Sequence, residues 1–349
     1  MAKIDALFRK LMALKGSDLH LAEGRKPKVR LQGELQEIAG SSILTQSEME
    51  PMMKEIAGQD RWEQFQVKGD LDFAYALEGE ARFRANYLRQ YYGLGAVFRI
   101  IPSKVLTLEQ LEAPEVFQSF SNLQSGLVVV TGPTGSGKST TLAAIIDYIN
   151  ANFHRKIMTI EEPVEFVHRS QKSMVLHREV GEDTESFMTG LAGAIKSDVN
   201  IILVGEMRDR ETIELALTAS EMGILVFGTL HTNSAAKTID RIIDVFPAKQ
   251  KNQIRSLLAN ALKGVVAQQL VRSIDGSRRY AVYEILLHCS ALSGIIRSGE
   301  SLKLTSVIQT NRQMGMTLMD DSLMILLQAG KISTDAAYQK AQDKTRFKT

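Results

Sequence analysis

The sequence predicts an α/β protein of two units: a small α+β domain on a largely antiparallel sheet, then a larger domain on a parallel sheet, closed by a helical C-terminal region. Three observations predict it. Short strand-like pieces alternate with turns up to residue 102. From residue 127 onward, apolar strands alternate with helical stretches. The first of those strands runs directly into a complete G-x-x-x-x-G-K-[ST] loop. The expected boundaries are 1–102 for the first domain, 103–114 for a linker, 115–289 for the core and 290–349 for the helical region.

In chain order, Ile4, Leu7, Phe8, Leu11 and Leu14 recur at helical spacing before Gly16, which predicts a helix over 4–14. Charges interleave with these apolar residues, so the stretch reads as an amphipathic helix and not a signal peptide. With no apolar run of about 18 residues, the chain is expected to be soluble and not exported by that route. Strands are expected at 18–21, 29–31, 71–77, 82–88 and 96–101, and a helix at Gln46–Ala57. Pro102 ends the last of these strands, and 103–114, with proline at each flank, reads as the linker.

The second unit offers strands at 127–130, 156–160, Ile201–Val204 and Leu225–Leu230, with helices at 140–150, 184–196 and 210–220. Residues 290–349 are helical by pattern. Leu302, Leu304, Val307, Ile308, Leu318 and 323–327 are the expected packing positions there, and the terminal KTRFKT is expected to be solvated. Methionines 314, 316 and 319 read as core filling or as an adaptable surface.

Composition narrows the function. Forty-four per cent hydrophobic residues supply ordinary cores, and 42 basic against 40 acidic side chains exclude a protein that coats nucleic acid through net charge. A single cysteine, Cys289, excludes an internal disulfide and a cysteine-based zinc site.

The chemistry begins at the loop Gly132-Pro133-Thr134-Gly135-Ser136-Gly137-Lys138-Ser139. Its glycines permit positive φ, so backbone N–H groups can face phosphate oxygens. Lys138 is placed to reach the β and γ phosphates of ATP, Ser139 to ligate Mg²⁺, and a helix starting near Thr140 to aim its positive end at the anion. Polar residues also close the next three strands: Glu161, Glu206 and His231. Ligands of open parallel sheets bind at those carboxyl ends, so the four positions are expected to converge. Glu206 suits the Mg²⁺ shell, through water, or the orientation of attacking water. Glu161 and Glu162 alternate across extended backbone, so only one faces the site, and Glu161 is the favoured water-activating group. His231 is placed to contact the γ-phosphate region. Arg82 and Arg84, two apart on one strand, and Arg99 on the paired strand are candidate transition-state cations for a neighbouring subunit's site.

Over nearly its whole length the chain resembles the secretion ATPase superfamily, and most closely the PilT-type type IV pilus retraction ATPases. The resemblance is carried by KGSDLHLAEGRKPKVRLQGEL, RFRANY, GAVFRIIP, TGPTGSGKST, TIEEPVEF, ILVGEMRDRET and GTLHTNSAAKTIDRIIDVFP. It implies a homohexameric ring of PAS-like and RecA-like domains, with ATP between the two domains of a subunit. Arg84 and Arg99 would complete the site, and the roles of Lys138, Ser139, Glu161, Glu206 and His231 follow. It further implies a cytoplasmic motor, peripheral to the inner membrane, that withdraws pilin through a membrane platform protein, with a paralogous retraction ATPase as a further partner and no nucleic acid. The alternatives are a pilus assembly or type II secretion ATPase and a nucleotide-controlled accessory paralogue. Three segments depart from the family pattern: Glu162 replaces the usual Asp, IKSDVN stands before the third strand, and ALSGIIRSGE keeps only Ala291, Ile296, Arg297 and Gly299 of a motif linked to retraction.

Overall fold

The computed structural model describes residues 2–31, 33–101 and 104–348. Its contacts divide the chain into two units, Met1–Lys104 and Val105–Thr349. Pro102 and Ser103, read above as a strand end and the start of a linker, lie outside the described residues.

The first unit comprises α1 (Asp5–Ala13), β1 (Asp18–Ala22), β2 (Lys28–Leu31), β3 (Glu34–Glu37), α2 (Gln46–Ala57), α3 (Gln59–Lys68), β4 (Asp70–Leu77), β5 (Ala81–Gln90) and β6 (Gly93–Ile101). The strands form one sheet in the order β3-β2-β1-β6-β5-β4, every pairing antiparallel. Along β5, residues 81, 83, 85 and 87 are buried, which leaves Arg82 and Arg84 on the opposite face. Phe8 of α1 stacks on Phe83 with ring centroids 4.1 Å apart, and meets Phe98 edge-on. That contact explains the apolar face of the first helix. β3 and α3 escape the periodicity because every residue of ELQE is exposed and α3 buries only Trp62 and Phe65.

The second unit opens with α4 (Val116–Ser119) and continues with β7 (Gly126–Thr131), α5 (Lys138–Asn152), β8 (Lys156–Glu161), β9 (Met174–Glu179), α6 (Phe187–Ile195), β10 (Ile201–Val204), α7 (Arg210–Glu221), β11 (Leu225–Leu230), α8 (Ala235–Asp244), α9 (Lys251–Ala261), β12 (Leu262–Arg272) and β13 (Arg279–Leu287). Its sheet runs β13-β12-β7-β11-β10-β8-β9, parallel except for the edge pairing of β13 with β12. All residues of β7, β10 and β11 are buried, as strands covered on both faces require. Side chains cap the helices that follow β10 and β11: Asp209 accepts from Thr212 N–H at 2.7 Å and Ser234 from Lys237 N–H at 3.3 Å. Leu108, within the segment read as a linker, is buried in this unit's core with Phe117 and Phe120.

Beyond β13 lie α10 (Ser290–Ser298), α11 (Leu304–Thr310), α12 (Met319–Gln328) and α13 (Thr334–Lys340). Three expectations fail here. Ile325, one of the expected packing positions 323–327, is 64 % exposed, on the outer face of α12. Leu302 is 92 % exposed, because it sits in a single 3₁₀ turn rather than on a helix face. Phe347 is 3 % exposed and packs with Val271, Val282 and Leu323, so the terminus is docked rather than solvated. One aromatic among cations carries no periodicity from which this could be read. Met316 and Met319 fill the core, and Met314 is exposed. No helix among the described residues is long and apolar enough to cross a membrane.

Candidate functional site

β7 ends at Thr131, and the chain turns through the loop 132–137 into α5. Gly132, at φ +147°, lies so close to β12 that a Cβ there would stand 2.2 Å from the Gln268 carbonyl oxygen. Only glycine permits that approach. The helix begins at Lys138, with Gly137 as its left-handed N-cap, and not at Thr140 as expected, because Lys138 and Ser139 already take helical backbone. Lys138 Nζ donates to the carbonyls of Gly132 and Pro133 at 2.8 and 3.2 Å. Burial lowers the Lys138 pKa from its ordinary value, and the Glu206 charge opposes that shift. Ser136 Oγ is buried with no hydrogen-bond partner among the described residues, an orphan in the middle of the loop.

The other strand ends meet the loop. Glu161, at the end of β8, is buried while Glu162 is exposed, so the expected alternation holds. Ser139, Thr159, Glu161, Gly205 and Thr229 line one cavity of about 30 Å³, room for a water molecule. Gly205 allows the ends of β8 and β10 to close, since a Cβ there would lie 3.2 Å from Glu161 Cα. Glu206 Oε1 receives Arg208 Nε at 2.6 Å and lies 3.1 Å from His231 Nε2. Burial alone would raise the Glu206 pKa; the bond from Arg208 and the nearby imidazole reverse this and hold it below the usual carboxylate range. The loop after β11 is tied back to the phosphate-loop strand: Thr131 Oγ1 donates to the Thr232 carbonyl at 2.8 Å and accepts from Thr232 N–H at 2.9 Å.

The structure therefore brings together Lys138, Ser139, Glu161, Glu206 and His231 from four strand ends. Thr140 lines a second cleft of about 270 Å³, with Gly137, Thr141, Arg278, Arg279 and Tyr280. Arg84 and Arg99 belong to the first unit, where they are direct cross-strand partners. Arg99 Nε donates to Asp18 Oδ1 at 2.8 Å, and Arg84 lies 3.8 Å from Asp72.

Sequence reasoning missed Gln268 and Arg208. Gln268 on β12 donates to the Ser136 carbonyl and accepts from Thr141 Oγ1, both at 2.8 Å, and so clamps the loop to the start of α5. Its only signal was a polar pair inside an apolar run, VVAQQLV. Arg208 stands two residues from Glu206 and sets a cation against its carboxylate within this unit.

A family model described as "Type II/IV secretion system protein" matches residues 1–281. A curated relative from Pseudomonas aeruginosa, "Type IV pilus retractation ATPase PilT", is 47% identical over 95% of this chain and 96% of its own length. "Type IV pilus ATPase PilU" of the same organism is 35% identical over 97% of this chain and 88% of its own length. A solved structure titled "Crystal Structure of the Pilus Retraction Motor PilT and Bound ADP" superposes with a TM-score of 0.91 at 36% identity, covering 99% of each chain.

Proposed function

The chain belongs to the type II/IV secretion system protein family, and from that premise we propose that it is an ATP hydrolase driving type IV pilus retraction. The observation that carries this reading is the convergence of Lys138, Ser139, Glu161, Glu206 and His231 at the carboxyl ends of four strands. The fold around them is a RecA-like core, and the 47% identity to a relative named as a retraction ATPase, against 35% to one named only as a pilus ATPase, supports the retraction reading.

The loop 132–137 holds the phosphates with backbone N–H groups, and the orphaned Ser136 hydroxyl donates to one of their oxygens. Lys138 trades its two carbonyl partners for β and γ oxygens, a more favourable place for a buried ammonium. The second cleft takes the sugar and base, with the Arg278 guanidinium over the Tyr280 ring at 4.4 Å.

Among the described residues no three His, Cys, Asp or Glu form a metal cluster. The donors fit Mg²⁺ bound with nucleotide, which takes phosphate and water oxygens and few protein ligands: the Ser139 hydroxyl directly and ionised Glu206 through water. When bound it neutralises charge on the phosphates. Glu161, buried beside Ser139, takes the proton of the attacking water, and His231 contacts the γ-phosphate region through its place beside Glu206. Arg84 and Arg99 supply transition-state charge in a homohexamer. The ring works at the cytoplasmic face of the inner membrane, against a pilus platform protein and beside a paralogous ATPase.

Hydrolysis by the purified chain should vanish in Lys138→Ala and Glu206→Ala, and wild-type turnover in either refutes the site. Deletion of the gene should leave cells with more surface pili. Fewer pili would make the chain an assembly motor.

A further inference from the structure

The segment that follows β8 leaves directly from Glu161, and its backbone aims that carboxylate. Glu165 N–H donates to Glu161 Oε2 at 3.2 Å. Two side chains of β9 hold this stretch of backbone in turn: Glu179 Oε2 accepts from Val164 N–H at 3.1 Å, and His177 Nε2 accepts from His168 N–H at 3.0 Å. The parallel register sets His177 beside Thr159 and Glu179 beside Glu161, and the period of two puts 177 and 179 on one face of the strand.

His177 is itself fixed on both sides. Its Nδ1 lies 2.8 Å from Thr159 Oγ1, and its ring stacks on that of His168 with centroids 5.9 Å apart. A backbone N–H can only donate, so Nε2 is the bare nitrogen and the ring proton sits on Nδ1, directed at Thr159. The His168 carbonyl is farther from Nε2, at 3.3 Å.

We propose that His177 and Glu179 are positioning residues for hydrolysis, bracing residues 164–168 so that Glu165 N–H keeps Glu161 turned into the cavity it shares with Ser139. The proposal rests on the reading of Glu161 as the group that activates water. It makes β9, which the phosphate chemistry does not otherwise use, the outer support of the general base. A displacement of that base by about 1 Å is enough to lower the chemical step by about 10²-fold.

Isosteric replacements separate a brace from simple packing. Glutamine at 177 sets an amide oxygen near the Nε2 position and retains the acceptor, whereas asparagine reaches only the Nδ1 position and loses it. Glu179→Gln likewise retains an acceptor that Glu179→Ala removes. The test is steady-state ATP hydrolysis and amide hydrogen exchange across 162–168 on the purified full chain, with Glu161→Gln as reference.

His177→Asn and Glu179→Ala should lower kcat about tenfold or more with KM for ATP within about twofold. Both should speed exchange at Val164, Glu165 and His168, while His177→Gln and Glu179→Gln stay near wild type in both readouts. Wild-type kcat in His177→Asn beside an inactive Glu161→Gln overturns the brace and leaves the base. Wild-type kcat in Glu161→Gln overturns the base, and the brace with it. Equal losses in His177→Asn and His177→Gln also overturn the brace, because a purely structural ring does not distinguish the two amides. Unchanged affinity for a fluorescent ATP analogue reports that each variant is folded, and the Glu179 pair carries the test if His177→Asn is not.

Discussion

Replacing Gln268 with leucine keeps the volume of the side chain and removes both ends of the clamp. The Ser136 carbonyl loses its donor and the Thr141 hydroxyl loses its acceptor, each at 2.8 Å and each in buried surroundings. An unmade buried hydrogen bond costs about 1–3 kcal/mol, so the two together destabilise the unit by about 2–4 kcal/mol after partial relaxation. For a unit of this size about 2–4 °C of Tm goes with each kcal/mol, which places the drop at roughly 5–15 °C. Gln268→Glu differs in kind: it keeps an acceptor for Thr141 and sets a carboxylate against the Ser136 carbonyl, beside the proposed phosphate site. Leucine should therefore cost more stability, and glutamate more ATP affinity, with the latter loss deepest at low salt. Calorimetry and titration of a fluorescent ATP analogue measure the two effects. If both variants melt with the wild type and bind nucleotide as it does, Gln268 does not hold the loop.

Gly205→Ala puts a Cβ 3.2 Å from Glu161 Cα and 3.3 Å from the Ile160 carbonyl, both backbone atoms that cannot rotate away; kcat should fall about tenfold with nucleotide affinity retained, and an unchanged kcat rejects the close approach as a catalytic requirement. His168 has its pKa pushed below the ordinary 6.5, by burial first and the neighbouring His177 second, against the pull of Asp147. The unfolded chain then binds the proton more readily, so stability is full above about pH 6.5 and falls as the pH drops below it, by at most about 1.4 kcal/mol per pH unit. His168→Gln should shrink the fall in Tm between about pH 7.5 and 5.5, leaving the share of His20, which burial shifts the same way; an identical fall contradicts this. Mixing Arg84→Ala subunits with Lys138→Ala subunits should restore part of the hydrolysis if arginines act across an interface, and the absence of rescue counts against it. Phe347→Ala should cost about 3 kcal/mol, seen as a lower Tm, and no change would place the terminus outside the core.

The phosphate loop and the strand ends were legible because the strand-to-helix turn has a strict local pattern and the central strands are continuous apolar runs. What was not legible depends on distant partners. Gln268 meets Ser136 across 132 positions of sequence and Thr141 across 127, so no window of residues holds both ends. β9 passes unnoticed because MVLHRE, at the sheet edge, buries only Val175 and so lacks the apolar signature of the strands beside it. β12 and β13 were hidden by polar residues in apolar runs, Gln268 and Glu284, each buried because it has a partner. The late start of α6 at Phe187 reflects a local competition: the Ser186 side chain accepts from Thr189 N–H and sets the first turn there, where helical composition alone suggested Thr184.

The departure at ALSGIIRSGE bears on what the C-terminal region presents, not on the hydrolytic residues. That stretch forms α10, which packs on α9: Ser293 Oγ donates to the Ala259 carbonyl at 2.8 Å and Arg297 to Asn260 Oδ1 at 2.7 Å. The tail reaches the site by another route. Glu284, on β13, accepts from Ala235 N–H at 2.8 Å with one oxygen and from Gln342 Nε2 at 2.9 Å with the other. Ala235 opens α8, four residues beyond His231, so one buried carboxylate joins the histidine loop to the end of the chain. Burial raises the pKa of Glu284, and the donated bonds from Ala235 and Gln342 oppose that shift. Asp320 reinforces the tail by accepting the backbone N–H groups of Gln342 and Asp343 at 2.8 Å. Glu284 and Asp320 thus tie the segment after His231 to 342–343 through directed bonds, while α10 is held by α9. The residues of α10 take no part in those bonds: Ser293 and Arg297 turn to α9, and Leu292 and Ile296 pack in the core with Ile239 of α8.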